Sequence, residues 1–384
     1  MTHLSSPTSK SAAEPDACQM LSTIVAALVV AVILKMVDFQ ALVAGARVTL
    51  LASGNQRGVA FDPARDMPSL AGKVILVTGG AGDLGRQVAI EFARHKPARI
   101  YVADLPRDDG GASVVSAIRE AVADAPVGYL ALDLSSFESI RTAATALCAA
   151  EERLDIAVLN AGIMRVASGT TAEGYEITFG INYLGHALLT KLLMPTLLRT
   201  ADLPGADVRI VAVSSEGHNL APKGGIQFEQ LKGPCEDIVR CFNRDSPGRD
   251  ISALLTWHTQ KYYQRYGQSK VAIIGLAREL AQRYPQIKAV AVHPGRIITG
   301  MARGLQKESL LFKAAAPISP LFCVSPAIGV RNHLWAATGT GVESGKYYEP
   351  VGVPDKETAV AKDPSLSRRL WEWTEKELEG VESM

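Results

Sequence analysis

Six short runs of aliphatic and β-branched residues recur along the chain, at 74–77 (VILV), 99–103 (RIYVA), 128–132 (GYLAL), 156–159 (IAVL), 208–213 (VRIVAV) and 288–292 (KAVAV). Segments of helical length lie between them, at 84–95, 136–150, 183–199 and 267–283. Runs this continuously apolar read as strands buried on both faces. Strands that alternate with helices pair in parallel, because the crossover helix returns the chain to the same end of the sheet. The expected fold class is therefore α/β, a doubly wound parallel sheet in a single domain covered by helices on both faces. A run at 344–349 (SGKYYE) reads as a last strand, and 364–380 as an amphipathic helix carrying Trp371 and Trp373.

The chain also carries an apolar segment that does not belong to this rhythm. Residues 20–34 (MLSTIVAALVVAVIL) hold no charge, and letting Lys35 reach outward extends the stretch to residue 37. Its length is close to the lower limit for a helix that spans a bilayer. A signal peptide needs a basic start, and the preceding tail instead carries Glu14 and Asp16 against Lys10. Ala44-Gly45-Ala46 keeps a cleavage site as an alternative, and a buried or interfacial helix is a third. The expected organisation is a polar tail (1–19), a membrane anchor (20–37), a connector (38–69), the α/β domain (70–350) and a helical C-terminal tail (351–384). Within the domain, 217–261 reads as a polar insertion and 300–326 as a loop that is apolar in its second half. Lys35, Arg47 and Arg57 follow the anchor, so the positive-inside rule places the bulk of the chain in the cytosol as a single-pass protein.

Charge narrows the function classes. Forty Lys and Arg against 39 Asp and Glu leave a net charge of +1, whereas a nucleic-acid footprint needs a basic domain; no nucleic-acid partner is expected. The five cysteines are scattered, without metal-ligand spacing, and fit a reduced compartment. No metal is expected.

The first run leads into Thr78-Gly79-Gly80-Ala81-Gly82-Asp83-Leu84-Gly85. Glycines between a strand and a helix let the backbone turn tightly and approach a pyrophosphate, which then rests on the positive helix N-terminus. Gly79, Gly82, Asp83, Leu84 and Gly85 are thus candidate cofactor contacts. Asp104 closes the second run, 19 residues after Gly85, where a carboxylate can accept both ribose hydroxyls and repel a 2′-phosphate. NAD(H) is favoured. NADP(H) is the alternative, because Arg86 and Arg107 stand near enough in sequence to offset Asp104.

Tyr266 and Lys270 stand at i and i+4, one turn apart on the same helix face. A free phenol titrates near pKa 10, and a neighbouring ammonium favours its phenolate. At this point residues 70–350 resemble the short-chain dehydrogenase/reductase family. Its motifs occur in order: the glycine loop, Asp133-Leu134, Asn160-Ala161-Gly162, Asn182, Ser214-Ser215, Tyr266 with Lys270, and Pro294-Gly295 followed by Thr299. The resemblance implies a Rossmann-fold, NAD(P)-dependent oxidoreductase. Tyr266 would exchange a proton with substrate, Lys270 would lower its pKa and hold the ribose, Ser215 would bind the substrate oxygen, and Asn182 would anchor a relay water. Asp133 and Leu134 would contact the adenine, Asn160, Ala161 and Gly162 would pack the cofactor, and Ile298 with Thr299 would hold the carboxamide. Ser214 is the fallback for Ser215. His218 lies close by but has no orienting acid in sequence, and it reads as structural.

Two departures matter. Asp83 stands where the family's commonest loop has glycine, and the spacing Gly79, Gly82, Gly85 is that of its epimerase-like members. Fifty residues also separate Ser215 from Tyr266, many more than in the simplest members. The start of that insertion (Ser215-Glu216-Gly217-His218, then Gly225-Ile226-Gln227-Phe228) resembles the retinol-dehydrogenase-like branch and its fungal relatives. That branch implies a lipophilic alcohol, ketone or aldehyde as substrate, an anchor in an endoplasmic-reticulum-type membrane, and is compatible with a homo-oligomer. A nucleotide-sugar epimerase or dehydratase and a non-catalytic dinucleotide-binding protein are the rival readings.

Overall fold

A computed structural model describes residues 58–164, 166–235, 251–297 and 324–381, with side chains from 262 onward in the third stretch. The strands are β1 (Val74–Thr78), β2 (Arg99–Asp104), β3 (Val127–Ala131), β4 (Ile156–Leu159), β5 (Val208–Val213), β6 (Ile287–Val292), β7 (Tyr347–Glu349) and β8 (Val353–Pro354). They form one sheet in the order β3-β2-β1-β4-β5-β6-β7-β8. Every pairing is parallel except β7 with β8. The strand order reverses between β1 and β4, and a doubly wound sheet opens its ligand crevice at such a point, beyond the carboxyl ends of the strands.

The main helices are α1 (Asp83–Arg94), α2 (Ala112–Ala121), α3 (Phe137–Ala150), α4 (Gly185–Ala201), α5 (Ile251–Arg283), α6 (Arg331–Thr338) and α7 (Pro364–Glu377). Successive strand residues face opposite sides, and β1 shows the consequence. Val74 and Leu76 join the core beneath α3, α4, α5 and α7, while Ile75 and Val77 join the core beneath α1, α2 and α6. The apolar runs are therefore continuous because both faces are covered.

Three boundaries differ from the sequence reading. Phe61 and Met67, assigned to the connector, are buried in the second core, and Val59 N–H bonds Val351 O at 2.8 Å. The polar insertion ends in helix: α5 starts at Ile251 and runs unbroken past Tyr266. The C-terminal segment is no appendage, since Leu370 and Leu378 enter the first core and β8 extends the sheet. No helix among the described residues is long and apolar enough to cross a membrane, and the expected anchor at 20–37 lies outside them.

Candidate active site

The glycine loop is shaped by close approaches. Gly79 has φ +65°, and a Cβ there would stand 2.8 Å from Ala161 Cα. At Gly85 a Cβ would stand 2.3 Å from Gly79 O and 2.8 Å from Asn160 Nδ2, so this glycine lets α1 sit against the loop. Gly82 is the N-cap of α1 and offers no side chain to the first-turn amides, leaving the positive end of that helix for an anion. Leu84 packs against the core below. Asp83 faces Arg86 at 3.6 Å, which offsets its charge beside the phosphate position. Asp104 Oδ2 accepts from Ala81 N–H and Oδ1 from Leu105 N–H, both at 2.9 Å, so the carboxylate is fixed against the loop.

The end of β4 is bolted to the end of β1. Asn160 Nδ2 donates to Thr78 O at 2.9 Å, and Thr78 Oγ1 accepts from the Asn160 and Ala161 amides at 2.9 and 3.0 Å. With those two bonds accepted, the Thr78 hydroxyl hydrogen points to His186 Nε2 at 2.9 Å. His186 Nδ1 lies 2.9 Å from Asn182 O, a pure acceptor, so the proton is on Nδ1. Burial holds this imidazole neutral, with a pKa lowered to about 4. Asp133 Oδ1 accepts from Ser135 N–H and Oγ–H at 2.8 and 2.6 Å, and Leu134 is buried.

Asn182 lies in a π-helical turn, Gly180–Leu184, that leads into α4; such a turn inserts an extra residue and re-aims a side chain. Its Oδ1 accepts from Ile163 N–H at 2.7 Å. Its Nδ2 donates to Ile163 O and Ser269 Oγ, both at 3.0 Å, and Ser269 Oγ donates in turn to Tyr266 O at 2.7 Å. Both amide hydrogens of Asn182 are thereby committed. It braces the loop after β4 against α5.

On α5 the Lys270 ammonium lies 5.3 Å from the centre of the Tyr266 ring and donates to Val213 O at 2.8 Å. It is buried, and desolvation lowers its pKa to about 8. Burial raises the Tyr266 phenol, and a hydrogen bond with the Ser215 side chain pulls it back. Ser215 Oγ also accepts from Gly217 N–H at 3.0 Å. A Cβ on Gly217 would stand 2.6 Å from the Tyr266 ring, so only glycine lets the ring lie there. The space a side chain at Gly162 would fill is bordered by Asn182 Oδ1 at 3.2 Å and Lys270 Nζ at 3.6 Å.

Comparison with known proteins identifies the family. The sequence model of the short chain dehydrogenases matches residues 73–252. The short-chain dehydrogenase/reductase drtF of Aspergillus calidoustus is 34% identical over 331 residues, covering 81% of this chain and 95% of that protein. The chain belongs to the short-chain dehydrogenase/reductase family. It falls in the retinol-dehydrogenase-like branch of these NAD(P)-dependent oxidoreductases: human retinol dehydrogenase 13 is 32% identical over 314 residues, covering 79% of this chain and 83% of that one. Among solved structures, a Mycobacterium paratuberculosis protein superposes with a TM-score of 0.57 at 25% identity, covering 83% of this chain and 97% of that one. Pseudomonas aeruginosa RhlG in its NADP active-site complex shares the fold, with a TM-score of 0.52 at 23% identity over 74% of this chain and 96% of that one.

In this short-chain dehydrogenase/reductase the fallback serine, Ser214, is buried and its hydroxyl donates to Lys270 O at 2.9 Å, whereas Ser215 is the serine hydrogen-bonded to the Tyr266 phenol. Both ring nitrogens of His218 are engaged with backbone: Nδ1 lies 2.7 Å from Ser215 O and Nε2 accepts from Thr358 N–H at 3.2 Å. Ile298, Thr299 and the apolar half of the 300–326 loop up to 323 lie outside the described residues. The epimerase-like glycine spacing is not accompanied by a second domain among the described residues after Gly295, which complete this sheet and its cover. The sequence reading missed Thr78, His186 and Ser269. Ser269 and His186 each stand one helical turn beyond a named candidate, Tyr266 and Asn182, and Thr78 opens the glycine loop, so spacing could have pointed to all three.

Proposed function

We propose that the chain transfers a hydride between the nicotinamide of a bound dinucleotide and a lipophilic alcohol, ketone or aldehyde. The observation that carries this reading is the Tyr266 phenol, hydrogen-bonded to Ser215 and backed by the buried Lys270 ammonium. The residues fit the cofactor. The loop approaches that glycine permits at positions 79 and 85, the uncapped start of α1, and a buried cation whose pKa is shifted by desolvation alone all call for an anionic, polyhydroxylated ligand. When bound, the dinucleotide supplies or accepts the hydride.

The chain's own residues handle the proton. Tyr266 donates it to the nascent alkoxide in reduction and takes it back in oxidation, while Ser215 holds the substrate oxygen. The Ser215 hydrogen bond opposes the burial that raises the phenol, and the Lys270 ammonium beside the ring would favour its phenolate during proton transfer. Because both Nδ2 hydrogens of Asn182 are committed, a relay water would sit in the gap at Gly162, accepting from Lys270 and donating to Asn182 Oδ1. NAD(H) is the favoured cofactor, as Asp104 is fixed at the loop while Arg86 and Arg107 each face a carboxylate, Asp83 at 3.6 Å and Asp109 at 4.0 Å. The retinol-dehydrogenase relatives favour a lipophilic substrate, and the 20–37 segment supports a single-pass anchor in an endoplasmic-reticulum-type membrane with the domain in the cytosol.

The test is NADH and NADPH oxidation with retinal, decanal and 2-decanone. Tyr266→Phe should lower turnover roughly 10²- to 10⁴-fold while leaving NADH binding, read by fluorescence titration, unchanged. Near-normal turnover by that variant would sink the assignment. Absence of turnover by the unmodified protein, with cofactor binding intact, would favour a dinucleotide-binding module.

A further inference from the structure

Beside Tyr266 stands Arg265, one of the largest fully buried side chains among the described residues. Neighbouring residues on a helix point about 100° apart, so Tyr266 can face the site while Arg265 faces the segment that carries Asn182. The guanidinium bridges two elements. Its Nη1 lies 3.3 Å from Glu176 Oε1, and its Nη2 donates to Val166 O at 2.9 Å. The side chains of this ion pair are 1% and 0% exposed.

Both partners lead to Asn182. Glu176 caps the helical segment ahead of it, accepting from Thr178 N–H at 2.9 Å and Phe179 N–H at 2.7 Å immediately before the π-helical turn. Val166 belongs to the loop after β4, whose Ile163 holds the Asn182 amide at both ends. One guanidinium therefore ties the backbone of Tyr266 to the start of the Asn182 turn and to the loop that grips Asn182.

The cap alone does not require a cation, since the Glu176 carboxylate already receives two backbone amides. Burying an ion pair costs desolvation, and apolar residues of similar volume often serve stability as well or better. What a fork with two fixed acceptors adds is distance and angle. We propose that Arg265 and Glu176 are positioning residues of the proton relay, setting the separation between the Tyr266 phenol and Asn182. The proposal rests on the oxidoreductase reading above, in which proton return to Tyr266 passes the Asn182 side.

The experiment uses the full chain with NADH and the best carbonyl of the same panel. Arg265→Met combined with Glu176→Gln leaves no unpaired buried charge and retains an acceptor for the cap. This double variant should fold, bind NADH normally, lose roughly ten- to a hundredfold in kcat, and show a larger solvent deuterium isotope effect on kcat as proton return becomes limiting. Arg265→Lys keeps the charge without the fork and should show the same isotope signature with a smaller loss; it also decides the matter if the double variant does not fold. Wild-type kcat and isotope effect in whichever variant folds, or a loss no larger than its unfolded fraction, would overturn the proposal. Tyr266→Phe run in parallel separates the two readings. If it is inactive while the Arg265 variants are normal, only the positioning role fails. If it is active, the oxidoreductase assignment fails first.

Discussion

The two sides of the crevice are built by different means. The side formed by β1, β2 and their loops relies on backbone: glycines at close approaches, an uncapped helix start, and amides held by Thr78 and Asp104. The side formed by β5 and α5 relies on buried polar side chains that reach far along the chain, and its pKa values are displaced, Lys270 to about 8 and Tyr266 upward. A pyrophosphate and a ribose need shape and donors at fixed places. Proton transfer needs a tuned acid–base group, and tuning requires burial with chosen neighbours. His186 joins the two sides, hydrogen-bonded to Thr78 on one and to the Asn182 carbonyl on the other.

The contrast breaks most sharply at Gly85. Gly85→Val puts a Cβ 2.3 Å from Gly79 O and 2.8 Å from Asn160 Nδ2, with two further methyl groups beyond it. The loop must move, and NADH affinity should fall by on the order of a hundredfold, as for a lost set of backbone hydrogen bonds. The Tyr266 side should be undisturbed, with the Lys270 and Tyr266 titrations unchanged by NMR. Weakened binding accompanied by shifted titrations would mean that the two sides are one unit.

This division also explains what was legible in sequence. The strands at 156–159 and 208–213 appear at the boundaries read from sequence, because an apolar run bounded by polar residues marks a strand covered on both faces. The glycine loop is contiguous, and Tyr266 and Lys270 are one turn apart, so local spacing reveals them. Arg265 and Glu176 are 89 positions apart, and nothing local to either announces the other. The start of α5 was not read as helix although Ile251, Leu254 and Leu255 recur at helical spacing, because they follow directly on the polar, Gly- and Pro-containing stretch with which they were grouped. The helix Ala112–Ala121 was missed as well, although it contributes Val114 and Ile118 to the core.

A smaller effect tests cofactor choice on the backbone-built side. Asp104 accepts from the glycine-loop amide of Ala81, and its charge would oppose a 2′-phosphate. Asp104→Ser removes that charge while a hydroxyl can still accept a hydrogen bond. The ratio of kcat/KM for NADPH over NADH should rise roughly tenfold, the equivalent of about 1.4 kcal/mol. A ratio that does not move would place the discrimination elsewhere, at Arg86 or Arg107, and would remove the basis for favouring NAD(H).

The mildest expected effect leaves activity at neutral pH alone and appears in stability as the pH falls. His186, His293 and His333 are buried and neutral, with pKa values lowered by desolvation to about 4, about 3 and about 3. In the unfolded chain each titrates near 6.5. Below that pH the unfolded state binds protons that the folded state refuses, so stability present above about pH 6.5 is lost as the pH falls toward the folded values. His218, also lowered by burial, acts in the same direction. Glu349 opposes them: burial raises it to about 7, so the folded state holds one extra proton between its unfolded value near 4.5 and pH 7. Three protons refused against one retained leave a net uptake of at least about two on unfolding near pH 5. Tm should therefore fall steadily between pH 6.5 and 4.5, and His333→Leu should flatten the slope by about one proton. His186 and His293 stand in the neighbourhood of Lys270, on the side built from buried polar groups or at its junction, and His333 on α6 stands beside His293. A Tm that holds constant across this window would show that the buried imidazoles are hydrated or paired, and the two sides would then differ less in construction than their hydrogen bonds imply.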